Sequence, residues 1–149
     1  MKTPLRTWLG LALIMAVASL TSAIARRDSR PAVQPHDVKG LIPWRSDLNS
    51  ARQEAQAAHK LVLVEIASGW CPDCQAMADQ TWSQPLIAVS LAAYVPVMID
   101  PDVHSDLAQR FSVVSIPTLL LIDPSSGKVL RDSRDRVLSP DELQSWLKG

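Results

Sequence analysis

Gly69-Trp70-Cys71-Pro72-Asp73-Cys74 is the stretch around which this sequence has to be read. It contains the only two cysteines of the chain. The apolar run Leu61-Val62-Leu63-Val64-Glu65-Ile66 precedes it, and a helix-compatible segment from Gln75 to Trp82 follows. A strand that ends in Cys-x-x-Cys and then turns into a helix has the layout of a dithiol redox site. Cys71 falls at the helix N-terminus, where unpaired backbone N–H groups and the helix dipole favour a thiolate. Cys74 falls about one turn further in, near enough to close a small disulfide ring. Pro72 lies in the first helical turn, where a missing N–H costs little.

Three other readings compete. Two buried structural cysteines seldom fall at this spacing beside a tryptophan. A structural zinc site needs four ligands, and the chain adds only His36, His59 and His104, none in paired ligand spacing. A static disulfide across so short a loop removes little unfolded-state entropy. The redox-active pair is the reading that uses the position of both cysteines, and it calls for no metal and no small-molecule cofactor.

A chain of 149 residues suggests one domain plus a leader, and 47% apolar content supports a core of ordinary size. The formal charge is zero. Without residues 1–25, which carry Lys2 and Arg6 and no acid, 13 basic side chains face 15 acidic ones, so nothing points to nucleic acid. There is no internal repeat and no heptad pattern.

Residues 1–25 follow the plan of a secretory signal peptide. Lys2 and Arg6 precede an apolar stretch from Trp8 to Leu20, and Ala23-Ile24-Ala25 offers a small-residue cleavage site. The alternative is an uncleaved membrane anchor, because Trp8 to Ala25 approaches spanning length. Against it, Thr21 and Ser22 weaken the far end, and Arg26, Arg27 and Arg30 fall on the translocated side. Either way the folded part is expected to be exported to the periplasm, where a lone pair is kept reduced by a donor or oxidised as an oxidant.

Residues 26–43 carry several Arg and Pro residues with little apolar content and read as a flexible leader; His36 there reads as a solvated loop histidine. From 44 to 149 the pattern is that of one domain. Ser46 or Asp47 can cap a helix to about His59, with Leu48, Ala51, Ala55 and Ala58 on one face and Trp44 packed at its start. Leu61 to Ile66 is apolar on both faces apart from Glu65, as in a buried central parallel strand. A carboxylate there is costly unless it is neutral, solvated or employed. Six residues before Cys71, Glu65 is a candidate to take the proton of Cys74; the bland reading is a glutamate that reaches solvent at a strand end.

Ser83-Gln84-Pro85 breaks the helix after the cysteines, and Leu86 to Ala93 resumes it. Tyr94 to Asp100 reads as a second buried strand, with Pro96 pushing it toward an edge or an irregular entry. Val103 to Phe111 is a short helix. Ile116-Pro117-Thr118 opens the strand Leu119 to Asp123 with an X-Pro bond that can be cis. A turn at Pro124-Ser125-Ser126-Gly127 then returns the chain in a short strand, Lys128-Val129-Leu130. Ser139-Pro140-Asp141-Glu142 is a capping box for a last helix with Leu143, Trp146 and Leu147. Parallel strands with crossovers, then an antiparallel hairpin, imply a three-layer α/β/α fold around a mixed sheet.

With Trp70-Cys71-Pro72-Asp73-Cys74, Glu65 ahead of it and Ile116-Pro117-Thr118 behind it, the sequence from about residue 44 onward resembles the thioredoxin family. Within that family it is similar to the exported domain of DsbD-type thiol:disulfide interchange proteins and small periplasmic relatives. Trp44, His59 to Val64, and Met77 to Pro85 carry that finer likeness. The resemblance implies a thioredoxin fold and a Cys71–Cys74 disulfide. Cys71 becomes the exposed nucleophile and Cys74 the resolving thiol, with Glu65 in the place of the buried acid. Pro117 becomes a cis-proline facing the disulfide. Trp70, Pro72 and Ile116 line the substrate contact, Ile116 through its backbone. It also implies protein substrates with disulfides and a membrane-bound electron donor of the DsbD type.

Two departures stand out. The inner dipeptide is Pro72-Asp73 where thioredoxin has Gly-Pro, and the acid is Glu where Asp is usual. A negative Asp73 beside Cys71 works against the thiolate and so favours the disulfide, which leans toward a reductase. An oxidase or isomerase running the same residues in reverse stays open, as does a dithiol metal-delivery or binding module, although the latter lacks a third ligand.

Overall fold

The computed structural model describes residues 40–149. The expected signal peptide or anchor at 1–25, and most of the leader at 26–43, lie outside the described residues. Ile42 is already buried in the core, so the packed chain begins two residues before the expected boundary at Trp44.

The first helix, α1 (Leu48–Ala58), is capped by Asp47, whose side chain accepts from the Ser50 amide at 2.7 Å. It ends at His59 in the left-handed conformation. Leu48, Ala51 and Ala55 are buried as their spacing predicts, whereas Ala58, in the last turn, is exposed. Strand β1 (Leu61–Ile66) follows at once. After the cysteine loop come α2 (Pro72–Met77), a π-helical turn (Ala78–Trp82) and α3 (Pro85–Leu91). Strand β2 (Tyr94–Ile99), helix α4 (Ser105–Arg110), strands β3 (Thr118–Ile122) and β4 (Val129–Arg134), and helix α5 (Pro140–Lys148) complete the domain.

The sheet order is β2-β1-β3-β4. β1 and β2 are parallel, running from Leu61 opposite Tyr94 to Ile66 opposite Ile99. β3 is antiparallel to both β1 and β4, with Ile66 opposite Thr118 and Thr118 opposite Arg134. The expected mixed sheet and three layers are what the chain forms. Strand alternation sorts the side chains into two cores. Val62, Val64 and Ile66 join Leu48, Ala51, Ala55 and Phe111 on one face. Leu63 and Leu119 join Met77, Ala78, Trp82, Ile87, Leu143 and Leu147 on the other. Each apolar side chain of this kind contributes about 1.5–3 kcal/mol when fully buried.

Pro96 sits in edge strand β2, as its missing N–H demands. The chain before α1 covers that edge: Arg45 N–H donates to Pro96 O at 2.9 Å, and Met98 N–H to Arg45 O at 2.8 Å. This crossing corrects one expectation. Trp44 does not pack at the start of α1 but lies on the opposite face of the sheet, against Trp82. Trp44 and Leu48, on either side of the Arg45 bridge, pack in different layers because the chain turns into α1 between them. The returning strand β4 is also longer than the expected Lys128-Val129-Leu130. Arg131 to Arg134 continue it, and their charges leave its outer edge unattractive to another strand. The capping box at Ser139 forms as read, with the Glu142 carboxylate accepting from the Ser139 amide at 2.9 Å.

Candidate active site

Ala67 prolongs the β1–β2 ladder by donating to Ile99 O at 3.0 Å, and then the chain turns. The Cys71 amide donates to Ser68 O at 3.2 Å, and the Gln75 side chain braces Gly69 O at 2.7 Å. Cys71 is the N-cap of α2, with extended backbone, and Pro72 takes the first helical position. Sγ of Cys71 receives the Cys74 amide at 3.2 Å. That donor aims at the sulfur where a thiolate would form. Cys71 and Cys74 are joined as a disulfide, their Cα atoms 5.2 Å apart.

The Ile116–Pro117 bond is cis, as the resemblance implied. Thr118 Oγ1 donates to Ser115 O at 2.7 Å and the Asp135 amide to Pro117 O at 3.0 Å, which hold this segment against the sheet. The carbonyl oxygen of Ile116 lies 3.7 Å from Cys71 Sγ. The cysteine loop and the proline loop, 45 residues apart, therefore meet at one sulfur.

Cys71 is not the exposed side chain that the resemblance implied. Only 4% of it is accessible, because Ala67 and Ile116 pack around the pair. What protrudes is the rim. Trp70, one residue before Cys71, is 66% exposed, and Val114, two residues before Ile116, is 92% exposed. Trp70 is held in place by a residue that the sequence did not suggest. Its indole N–H donates to Asp102 Oδ2 at 2.7 Å. Asp102 is itself fixed by its amide, which donates to Asp100 Oδ1 at 2.9 Å. The one available hint was position: Asp102 leaves the C-terminal end of a parallel strand, where α/β sheets gather their site residues.

Glu65 does not reach solvent; it is 1% exposed. Met98 and Leu119, both buried, flank it on the neighbouring strands. It shares the face of Leu63, which packs against Met77 and Ala78 of the cysteine helix and its continuation. Trp82 donates its indole N–H to Glu65 Oε1 at 2.8 Å, while Oε2 has no partner among the described residues. Burial pushes the carboxyl up to about 8, and the Trp82 hydrogen bond, which favours the anion, offsets part of that rise. Trp82 was read only as the end of a helix. A buried indole needs an acceptor for its N–H, and strand alternation puts the Glu65 carboxyl on the same face as Leu63.

A family model described as thioredoxin-like matches residues 43–124. The chain belongs to the thioredoxin-like family. A thioredoxin from Thermus thermophilus superposes with a TM-score of 0.64 at 26% identity, covering 72% of this chain and 85% of that one. The C-terminal domain of Neisseria meningitidis DsbD in its oxidised form superposes with a TM-score of 0.61 at 20% identity, covering 70% of this chain and 97% of that one. In sequence, the thiol:disulfide interchange protein DsbD of Haemophilus influenzae is 22% identical over 102 residues, which is 66% of this chain but 18% of that protein. The chain thus corresponds to less than a fifth of the DsbD relative. A cysteine pair at disulfide distance, set at a helix N-terminus of a thioredoxin fold, is equipped for thiol–disulfide exchange.

Proposed function

We propose that this protein is an exported thiol:disulfide oxidoreductase that reduces disulfides in protein substrates. The observation that carries the reading is the convergence of the Cys71–Cys74 pair with the cis Ile116–Pro117 segment under an exposed Trp70. In the reduced state, Cys71 thiolate attacks one sulfur of the substrate disulfide. A mixed disulfide forms and the first substrate thiolate leaves. The Cys74 thiol then gives its proton to Glu65 in its ionised form, a minority below about pH 8, and attacks Cys71 Sγ. The second substrate thiolate departs, and the pair is left as the disulfide seen here. The substrate has gained two electrons and the enzyme has lost two.

Asp73, in the first turn of α2, supports the reducing direction by opposing a thiolate at Cys71. Likeness to proteins named for thiol:disulfide interchange supports a membrane-bound dithiol donor that recharges the pair, and the apolar leader supports export to the periplasm. Trp70, Pro72, Ile116 and Pro117 form the substrate contact in this reading.

The test is a trap. In Cys74→Ala, the mixed disulfide on Cys71 cannot be resolved, so incubating the reduced variant with a disulfide-containing protein such as insulin should accumulate a covalent adduct that dithiothreitol releases. Cys71→Ala should form none. Equal adducts from both variants, or from neither, would refute the assigned roles.

A further inference from the structure

Trp82 stands at the end of the π-helical turn, 2% exposed. Cys74, Met77, Ala78, Thr81 and Trp82 are all buried, a spacing that puts the resolving cysteine and this tryptophan on one stripe of the same helical segment; Met77, Ala78 and Trp82 pack on the sheet face of Leu63, and Cys74 packs beside them with Ala67, Cys71 and Ile116. The Trp82 ring packs edge-on against Trp44, centroids 5.2 Å apart and planes at 84°, which fixes the direction of its N–H. That N–H reaches Glu65 Oε1 at 2.8 Å.

Indole nitrogen can only donate. Oε1 is therefore the acceptor in both charge states of Glu65, and a proton on the carboxyl is favoured on Oε2, because the carbonyl-type oxygen is the stronger acceptor for the indole. Oε2 is the buried oxygen without a partner among the described residues. From this geometry we infer that Trp82 is a positioning residue for proton transfer: it reserves Oε1 and leaves Oε2 as the oxygen that takes the Cys74 proton. In the step, the Cys74 S–H bond breaks, an O–H bond forms at Oε2, and the Cys74 thiolate goes on to attack Cys71 Sγ. The proton is later passed to the departing substrate thiolate or to water. This inference rests on the reading of Glu65 as the proton acceptor.

The chain has five tryptophans, and its glutamates are Glu54, Glu65 and Glu142, so both partners can be followed by nitrogen- and carbon-edited NMR on the full chain. Trp82→Phe keeps the ring and removes the N–H. Losing a hydrogen bond to the charged form should move the Glu65 titration upward by about one to two pH units. The pH profile for release of a mixed disulfide on Cys71 should move with it, and Glu65→Gln should abolish that limb of the profile. In the unmutated oxidised protein, the Trp82 indole resonance should titrate with the Glu65 midpoint, a readout that does not depend on any variant folding. An indole resonance that ignores the Glu65 titration overturns the inference. So does a Trp82→Phe variant with an unmoved Glu65 midpoint or an unmoved release profile. If Glu65→Gln leaves the release profile intact, the proton-acceptor reading itself falls, and the role of Trp82 falls with it.

Discussion

Replacing Glu65 by glutamine should make the protein more stable at alkaline pH and leave its acid stability nearly unchanged. Glu65 is enclosed by Met98 and Leu119, and burial raises its carboxyl from the ordinary 4.5 to about 8. The sign follows from linkage. Between these values the unfolded chain releases the proton while the folded chain keeps it, so folding loses ground as pH rises. The stability is fully present below 4.5 and is lost progressively up to about 8. At 1.36 kcal/mol per pH unit, the roughly 3.5 units between them set an upper bound of about 5 kcal/mol. Glutamine has the same shape and keeps an oxygen for the Trp82 N–H, but it cannot ionise. The assay is urea unfolding of the oxidised protein at several pH values from 5 to 8, because the closed disulfide contributes no thiol titration. Taking the difference between wild type and Glu65→Gln cancels the other titrating groups. That difference should grow in favour of the variant as pH rises, at up to about 1.4 kcal/mol per unit. A difference that stays flat across the range would mean that Glu65 is not held neutral by the fold, and the reasoning from burial would be refuted.

Two further outcomes follow from contacts at the rim and at the last helix. Asp102→Ala frees the Trp70 indole; because the pair is partly solvated, loss of one hydrogen bond should raise KM for a protein disulfide by about 2- to 10-fold with kcat little changed. An unchanged KM would show that the tether does not hold the substrate contact. Ser139→Ala removes the N-cap of α5, and thermal unfolding should show a loss of about 1 kcal/mol, equivalent to a Tm lower by about 4 °C. A Tm equal to that of wild type would mean that the capping box adds nothing to the fold.

Much of this fold was legible in the sequence because its signals are local. The run Leu61 to Ile66 states burial on both faces, Pro72 and Ser139-Pro140 state where helices begin, and Cys71 and Cys74 can serve one helix terminus at only that spacing. Ile116-Pro117 announced the second wall of the site, and the peptide bond is cis. What was not legible depends on contacts between distant segments. The Asp102–Trp70 and Trp82–Glu65 hydrogen bonds span 32 and 17 residues, and no periodicity encodes them. The enclosure of Cys71 is set by Ile116, 45 positions away, so exposure of the sulfur could not be read beside its own motif. Strand β4 was underestimated for a different reason. Its second half is held by ladder bonds to β3 rather than by apolar side chains, and Arg131 to Arg134 carry no hydrophobic alternation to announce it.

The measurement that tests the account most directly is the reduction potential of the Cys71–Cys74 pair, by equilibrating the protein in glutathione or dithiothreitol buffers and reading the reduced fraction by thiol alkylation. A thioredoxin-fold reductase with Asp73 beside its nucleophile should give a value near about −270 mV. A value near about −120 mV would contradict the assigned direction and make the protein an oxidant, and a pair that forms no reversible disulfide would contradict the redox site itself.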